Sequence, residues 1–338
     1  MNVSDLTVTR TSPTAKAAAI IGAVILVVLI AAPWWAGRAD MRLMSEIFMY
    51  LALASLWNLM AGYAGLVSVG QQAFVGFGGY MLFALTIFGG LSPVVAIAAA
   101  GVLGALIAVP VAALMFRLRG AYFAIGTWVI AEVFRLSFAQ ISSLGGGSGS
   151  SLPVGIVKSI AASRTGREQI SYWLALGSVV LVIATVYFFL RSRNGLALTA
   201  IRDNELAAGS LGIDIWRTKF IVYVTTAGLT AMVGALIFLQ KLRISPDAAF
   251  SVNDWTAFVI FIVVIGGIGT IEGPIIGTLI FFALRETLAD LGTIYLMILG
   301  VVAIVIMLKA PKGIWGLIRS RTGVEIFPLT FRVSTKKQ

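Results

Sequence analysis

Residues 47–116 read IFMYLALASLWNLMAGYAGLVSVGQQAFVGFGGYMLFALTIFGGLSPVVAIAAAGVLGALIAVPVAALMF, with no Asp, Glu, Lys or Arg between Glu46 and Arg117. As one continuous helix this stretch would run to about 105 Å at 1.5 Å per residue. A bilayer core is only about 30 Å thick and needs roughly 20 apolar residues to cross. The stretch must therefore fold back on itself. Its natural breaks are Gly62-Tyr63-Ala64-Gly65 and Gly89-Gly90-Leu91-Ser92-Pro93, where glycine and proline interrupt the apolar run. Three spans follow, near 44–62, 66–88 and 93–116, and the fold class is an all-α, polytopic transmembrane helical bundle.

Working outward, the apolar run Ala17 to Ala36 follows a polar, basic leader ending at Lys16. A cleavable signal peptide is the competing reading, but the leader is long and the run spans a bilayer, which favours an anchor helix. Downstream, Ala121 to Ile141 is a span carrying Glu132 and Arg135, and a polar segment from Ser142 to Glu168 leads to a span at Ile170 to Leu190. Residues 191–219 are too mixed in charge to lie in lipid and form a loop or surface helix. Phe220 to Gln240 and Trp255 to Ile271 are the next spans. Glu272-Gly273-Pro274 breaks the following run, leaving spans at Ile275 to Leu288 and Gly292 to Leu308. The expectation is ten spans. The positive-inside rule supports this parity, because the leader, Arg117 with Arg119, the 191–219 loop and the tail with Lys309, Lys312, Arg319, Arg321, Lys336 and Lys337 all fall on the cytoplasmic side. Nine spans would put that tail outside. Arg38, Arg42, Lys158, Arg164 and Arg167 in outer loops run against the rule and are only partly offset by Asp40 and Glu168. The expected organisation is a leader at 1–16, one transmembrane domain at 17–308 and a basic tail at 309–338, with both termini cytoplasmic.

Composition agrees. Of 338 residues 59% are hydrophobic and 12% charged, against roughly 25% charged in an average globular domain. The chain has no Cys and no His, which excludes imidazole general bases, thiolate nucleophiles, zinc sites of the usual ligands and disulfides. The net charge of +11 is dispersed between apolar runs, so it reports topology and not nucleic-acid binding. No Gly-x4-Gly-Lys-Ser/Thr loop occurs, so the chain lacks the usual phosphate cradle of an ATPase.

The 191–219 loop is the most informative polar segment. Leu198, Ile201, Glu205, Ala208 and Leu211 recur at helical spacing, and Gly212 stands where a helix would end in a left-handed residue. Small residues at Ala207 and Ala208 allow close approach of another surface, as in helix-in-groove docking. An interfacial helix lying on the inner leaflet has a similar pattern, and both readings remain open here. Gly76, Gly78 and Gly79, and later Gly266, Gly267 and Gly269, permit tight helix packing or a broken helix lining a cavity. Glu132 and Arg135 share a helix face at i and i+3, as a functional pair or a structural ion pair near the membrane boundary. Gln71, Gln72 and Thr127 are uncharged polar candidates for a pathway lining, or for bonds to neighbouring helices.

At this point a family resemblance emerges. Glu205-x-Ala207-Ala208-x-x-x-Gly212 resembles the Glu-Ala-Ala-x3-Gly signature of ABC importer permeases, the segment that contacts the nucleotide-binding subunit. Gly65-Leu-Val-Ser-Val-Gly-Gln-Gln-Ala-Phe-Val-Gly-Phe-Gly-Gly-Tyr80 is similar to the early glycine-rich span of branched-chain amino acid permeases of the LivM and LivH type. Arg119-Gly-Ala-Tyr-Phe-Ala-Ile-Gly-Thr127 with Glu132, Gly145-Gly-Gly-Ser148, Ala200-Ile-Arg-Asp-Asn-Glu205, Gly266-Gly-Ile-Gly-Thr-Ile-Glu-Gly-Pro-Ile-Ile-Gly277 and Pro311-Lys-Gly-Ile-Trp-Gly316 follow in family order. The resemblance covers about Glu46 to Gly316, and the extra N-terminal span makes it closer to LivM. Two departures stand out: Gln71 where the family often has His, and Leu206 inside the Glu-Ala-Ala pattern.

The resemblance implies a type II-like ABC importer permease in a bacterial cytoplasmic (inner) membrane. Its implied partners are a LivH-type permease, two cytoplasmic ATPase subunits that use ATP and Mg, and an extracytoplasmic solute-binding protein, with membrane lipids around it and no nucleic acid. It implies no catalytic or metal residues in this chain, coupling through Glu205, Ala207, Ala208 and Gly212, and transfer of branched-chain or hydrophobic amino acids, urea, short amides or carboxylic acids. The rival class is an ion-coupled transporter or channel without an ATPase, for which only Glu132 is a fair buried carboxylate.

Overall fold

The long apolar runs fold as helices because a backbone in hydrocarbon must satisfy its own hydrogen bonds. The computed structural model describes residues 6–9, 13–161, 163–288, 292, 294–322, 326–327 and 332–335. In chain order the helices are α1 (Pro13–Ala31), α2 (Arg38–Asn58), α3 (Gln71–Ile87), α4 (Pro93–Met115), α5 (Ala121–Ala139) and the short α6 (Val154–Ile160). Next come α7 (Arg164–Arg191), α8 (Arg193–Asp203), α9 (Glu205–Ser210), α10 (Ile215–Lys241) and α11 (Pro246–Ala249). The series ends with α12 (Phe258–Gly266), α13 (Glu272–Leu288), α14 (Ile294–Lys309) and α15 (Gly313–Thr322). Two antiparallel ribbons are the described strands: β1 (Leu6–Thr9) with β4 (Arg332–Thr335), and β2 (Ser150–Ser151) with β3 (Arg243–Ile244).

All ten expected apolar segments are helical, and among the described residues eight helices are long and apolar enough to cross a membrane: Ala17–Trp34, Arg38–Tyr63, Pro93–Met115, Ala121–Ala139, Arg164–Arg191, Ile215–Lys241, Pro246–Gly266 and Ile294–Thr322. The other two, α3 and α13, have 17 residues each. Such helices rise only about 26 Å, short of the roughly 30 Å core. β1 pairs with β4, so the two terminal strands lie side by side. Residues 1–5 and 10–12 of the leader, and Lys336 and Lys337 of the tail, lie outside the described residues.

The structure corrects several boundaries. Arg38 and Arg42 lie in the first turns of α2, and Arg164 and Arg167 in the first turn of α7, so neither pair belongs to a loop. The Ser163 hydroxyl caps α7 by accepting from the Gly166 N–H at 2.9 Å, and Asp214 caps α10 by accepting from Arg217 N–H at 2.9 Å. These caps start both helices earlier than hydropathy alone indicates, since long basic side chains reach the interface while their stems stay apolar. Glu272-Gly273-Pro274 is likewise not a break: it is the first turn of α13. Proline costs no hydrogen bond in a first turn. The chain turns earlier, at Gly267 (φ 133°) and Gly269 (φ 76°), conformations that a side chain would strain.

Packing centres on α10, which lies against α4 and α3, while α2 packs on α7 and α12 on α13. The α3–α10 contact is backbone to backbone. A Cβ at Gly78 would overlap the Ala231 carbonyl, and one at Gly234 would overlap the Val75 carbonyl. Gly76 and Gly79 make room for the rings of Phe250 and Phe238. Small residues on both helices allow this approach, which replaces the hydrophobic drive that lipid cannot supply. The Tyr80 ring stacks on Phe138, with centroids 4.6 Å apart, beside the same seam.

At one end of the bundle α7 finishes, α8 and α9 sit, and α10 begins. At the other end α2 and α7 begin together, joined by Arg38 Nη2 donating to the Thr165 hydroxyl at 2.9 Å, and α10 finishes at Lys241. Leucine at Gly78 or Gly234 is expected to cost at least about 1–3 kcal/mol through overpacking. Thermal unfolding of the detergent-solubilised protein should show a clear drop for each, and no drop for Gly177→Leu, where nothing lies within 4 Å of the added Cβ.

Candidate functional site

The 191–219 segment is two helices, not the single amphipathic helix read from its spacing. Asn204 breaks the run with φ −158° and ψ 105°, and its side-chain oxygen accepts from Ala207 N–H at 3.0 Å, capping α9. That bond satisfies an N–H that a helix start otherwise leaves unpaired. Gly212 takes the left-handed conformation (φ 83°), as its position predicts. Around it Ile213 N–H bonds to the Ala208 carbonyl at 3.2 Å and Gly212 N–H to the Gly209 carbonyl at 3.0 Å. This is a Schellman closure, and it leads directly into the Asp214 cap of α10.

The four coupling candidates are thus gathered in one compact knuckle but have different surroundings. Ala208 is buried at 1% exposure with Leu198 and Ile201, so it packs inward, while Ala207 is exposed. Glu205 accepts from the Lys219 ammonium at 2.9 Å and so ties α9 to the first turns of α10. Leu206 and Leu211 are 84% and 80% exposed and form the outward apolar tips of the knuckle. In the sequence Leu206 stands out only as a departure from the family pattern. Two apolar residues flanking a small-residue turn were the available signal.

A second connection leaves the knuckle through α8. Arg202 Nη1 donates to the Gly62 carbonyl at 2.9 Å, in the π-helical turn Leu59–Tyr63 that ends α2. Gly62 in turn lies against Gly269, and a Cβ there would collide with Gly269 N and with Asn58. The Asn58 side chain accepts from Gly269 N–H at 2.8 Å and donates to the Thr270 carbonyl at 2.7 Å. Gly266, Gly267 and Gly269 therefore form the α12–α13 connection, held by one amide and packed closely against Gly273 and Gly313. The Pro311–Gly316 motif places Gly313 and Trp315 against Gly267. Arg202 lies within the Ala200–Glu205 motif, which by itself gives it no role, and Asn58 is a lone Asn in an apolar run.

The remaining candidates divide clearly. Gln71 and Gln72 are buried at the start of α3. Gln71 Nε2 donates to the Leu53 carbonyl at 3.0 Å, and Gln72 Oε1 accepts from the Thr256 hydroxyl. Gln71 Oε1 and Gln72 Nε2 have no protein partner. Beside Gln71 a cavity of about 10 Å³, lined by Trp57, Ser68 and Thr226, has room for about one water. Thr127 accepts from Val69 N–H at 3.1 Å and donates to the Ala124 carbonyl at 2.8 Å, pinning the α2–α3 connection. Glu132 and Arg135 pair at 2.6 Å, and Arg135 also reaches Asp247 at 2.8 Å, joining α5 to α11. Arg135 thus bridges two carboxylates, one on each helix. Gly76, Gly78 and Gly79 serve packing, as described above.

The geometry defines a polytopic membrane protein with a surface knuckle wired into its helices. The family profile described as "Branched-chain amino acid transport system / permease component" matches residues 41–309. The chain belongs to this family of transport permeases. It is 27% identical over 312 residues to the high-affinity branched-chain amino acid transport system permease protein LivM of Escherichia coli strain K12, covering 86% of this chain and 73% of that protein. The Salmonella typhimurium LivM is 26% identical over the same shares. A probable LivH of Methanocaldococcus jannaschii is 27% identical over 150 residues, 41% of this chain and 46% of that protein. No solved structure matches the chain.

Replacing Asn58 by Leu leaves the Gly269 N–H and the Thr270 carbonyl without their partner, a loss of roughly 1–3 kcal/mol. A lowered unfolding midpoint for Asn58→Leu, with a smaller shift for Asn58→Gln, is the expected outcome of a thermal melt; an unchanged Asn58→Leu midpoint would contradict the bridge.

Proposed function

We propose that this chain is a transmembrane permease subunit of a binding-protein-dependent ABC importer for branched-chain or other hydrophobic amino acids. It sits in a bacterial cytoplasmic membrane with the leader, the α8–α9 knuckle and the basic tail inside. A LivH-type permease is its partner across the solute path. Two ABC ATPase subunits, which use ATP and Mg, dock beneath, and an extracytoplasmic binding protein delivers solute. The chain itself moves an unmodified solute and performs no bond chemistry.

The observation that carries this reading is the knuckle of α9: a capped, six-residue helix with exposed Leu206 and Leu211, fastened to α10 by Glu205–Lys219 and to α2 through Arg202. Exposed apolar tips on a rigid mount suit insertion into a partner's groove. Closure of the ATPase dimer would displace α9. Its Schellman closure and the Glu205–Lys219 bridge pass that displacement to α10, and Arg202 passes it to the π-helical turn of α2 and the α12–α13 connection. The bundle then alternates between outward and inward access. The short helix α3, whose first turn holds Gln71 and Gln72, packs directly on α10. Its unpaired amide atoms make it the part of this chain best placed to face the solute path.

Leu206→Asp with Leu211→Asp tests the docking face, because both side chains are exposed and the fold does not depend on them. Affinity purification of the tagged double variant should recover the second permease but lose most of the ATPase, whereas the wild-type chain recovers both. Wild-type chain that brings down neither partner would overturn the importer reading in favour of an ion-coupled carrier.

A further inference from the structure

At the end of the bundle opposite the knuckle, α2, the last turn of α10, the start of α12 and the end of α13 enclose a cavity of about 280 Å³. That is just below the roughly 300–1,000 Å³ of typical small-molecule sites. Two of its charges cancel. Arg285 donates to both carboxylate oxygens of Glu46, at 2.8 Å each, in a bidentate pair between α13 and α2. The others do not. Lys241, the last residue of α10, holds its ammonium 4.7 Å from the Trp255 ring centroid and, among the described residues, has no carboxylate within ion-pair distance. Asp254 likewise has no cation partner among the described residues. It stands in the π-helical turn Asn253–Ala257, a local widening of the helix of the kind that recurs at functional sites. The cavity thus presents two cations, Arg42 and Lys241, and one carboxylate, Asp254, outside any ion pair among the described residues, beside an aromatic wall of Tyr50, Trp255 and Phe258.

This is the complement of a free α-amino acid with an apolar side chain. We propose that the cavity is an outer receiving site for the zwitterion: Lys241 engages the carboxylate, Asp254 the ammonium, and the aromatic wall the side chain. Arg42 on the cavity lining adds positive charge that favours the carboxylate end. The inference rests on the importer reading and deepens it, because urea and short amides carry neither charge and a carboxylic acid only one.

The test uses the complete importer in proteoliposomes with its binding protein loaded with L-leucine. Lys241→Gln and Asp254→Asn should each lower leucine uptake per ATP hydrolysed by about tenfold or more, the worth of one charge-assisted contact. Co-sedimentation of the binding protein with the vesicles and its stimulation of ATP hydrolysis should stay unchanged. Full uptake in both variants overturns the proposal, and so does a parallel loss of binding-protein docking, which would assign the cluster to that interface. A readout independent of these variants uses the absence of native cysteine. The thiol of Tyr295→Cys, on the cavity lining but outside the proposed contacts, should react more slowly with a soluble maleimide in the presence of L-leucine and at the ordinary rate with uncharged isovaleramide. Equal rates in all three conditions overturn the proposal even if a charge variant fails to assemble. Wild-type uptake that does not depend on ATP would instead defeat the importer reading and leave the maleimide result to judge the cavity.

Discussion

Direct backbone contact between α3 and α10, at Gly78 against Ala231 and Gly234 against Val75, is the constraint on which the bundle depends. Helices in lipid gain nothing from burying apolar side chains against one another, so close packing and polar bridges must hold them. Here the glycines bring α3 against α10, and α4 is drawn in through Gly101, Gly104 and Gly228. The result is a central shaft, α10, whose two ends meet the two places where this chain carries unusual polar chemistry.

Those ends are unlike. At one end the shaft starts from the Asp214 cap, beside the exposed tips of α9. At the other it finishes at Lys241, over the indole of Trp255 and beside a cavity with separated charges. The Glu205–Lys219 pair that fastens α9 to the shaft is partly exposed, at 44% and 16%, and such pairs are worth only about 0–1 kcal/mol to stability. Its value lies in geometry, since it fixes the angle between α9 and α10. The Asn58 bridge and Arg202 give the same knuckle a second hold on α2 and on the α12–α13 connection.

Much of this was legible in the chain. Charge-free runs located the ten apolar helices, because the cost of a charge in hydrocarbon is large and local. Gly212 was legible as a left-handed cap for the same kind of local reason. Hydropathy was weaker at helix ends, where Ser163 and Asp214 extend α7 and α10 beyond their apolar cores and where Glu272-Gly273-Pro274 opens α13 instead of interrupting it. Contacts between distant parts of the chain were not legible at all. Glu46 and Arg285, Asn58 and Gly269, Arg202 and Gly62 are pairs separated by well over a hundred residues, and no local pattern links them. The split of the 191–219 segment at Asn204 was missed because helical spacing continues across the break, while the capping bond depends on one backbone dihedral.

In the proposed mechanism α9 drives α10 through the bond between Glu205 and Lys219. The decisive experiment is charge reversal, with ATP-dependent uptake measured for Glu205→Lys, Lys219→Glu and the two combined. Each single reversal should suppress uptake, with solute affinity of the binding protein intact, and the double reversal should restore a large part of it. Normal uptake in the Glu205→Lys protein, with both partners assembled, would contradict the mechanism.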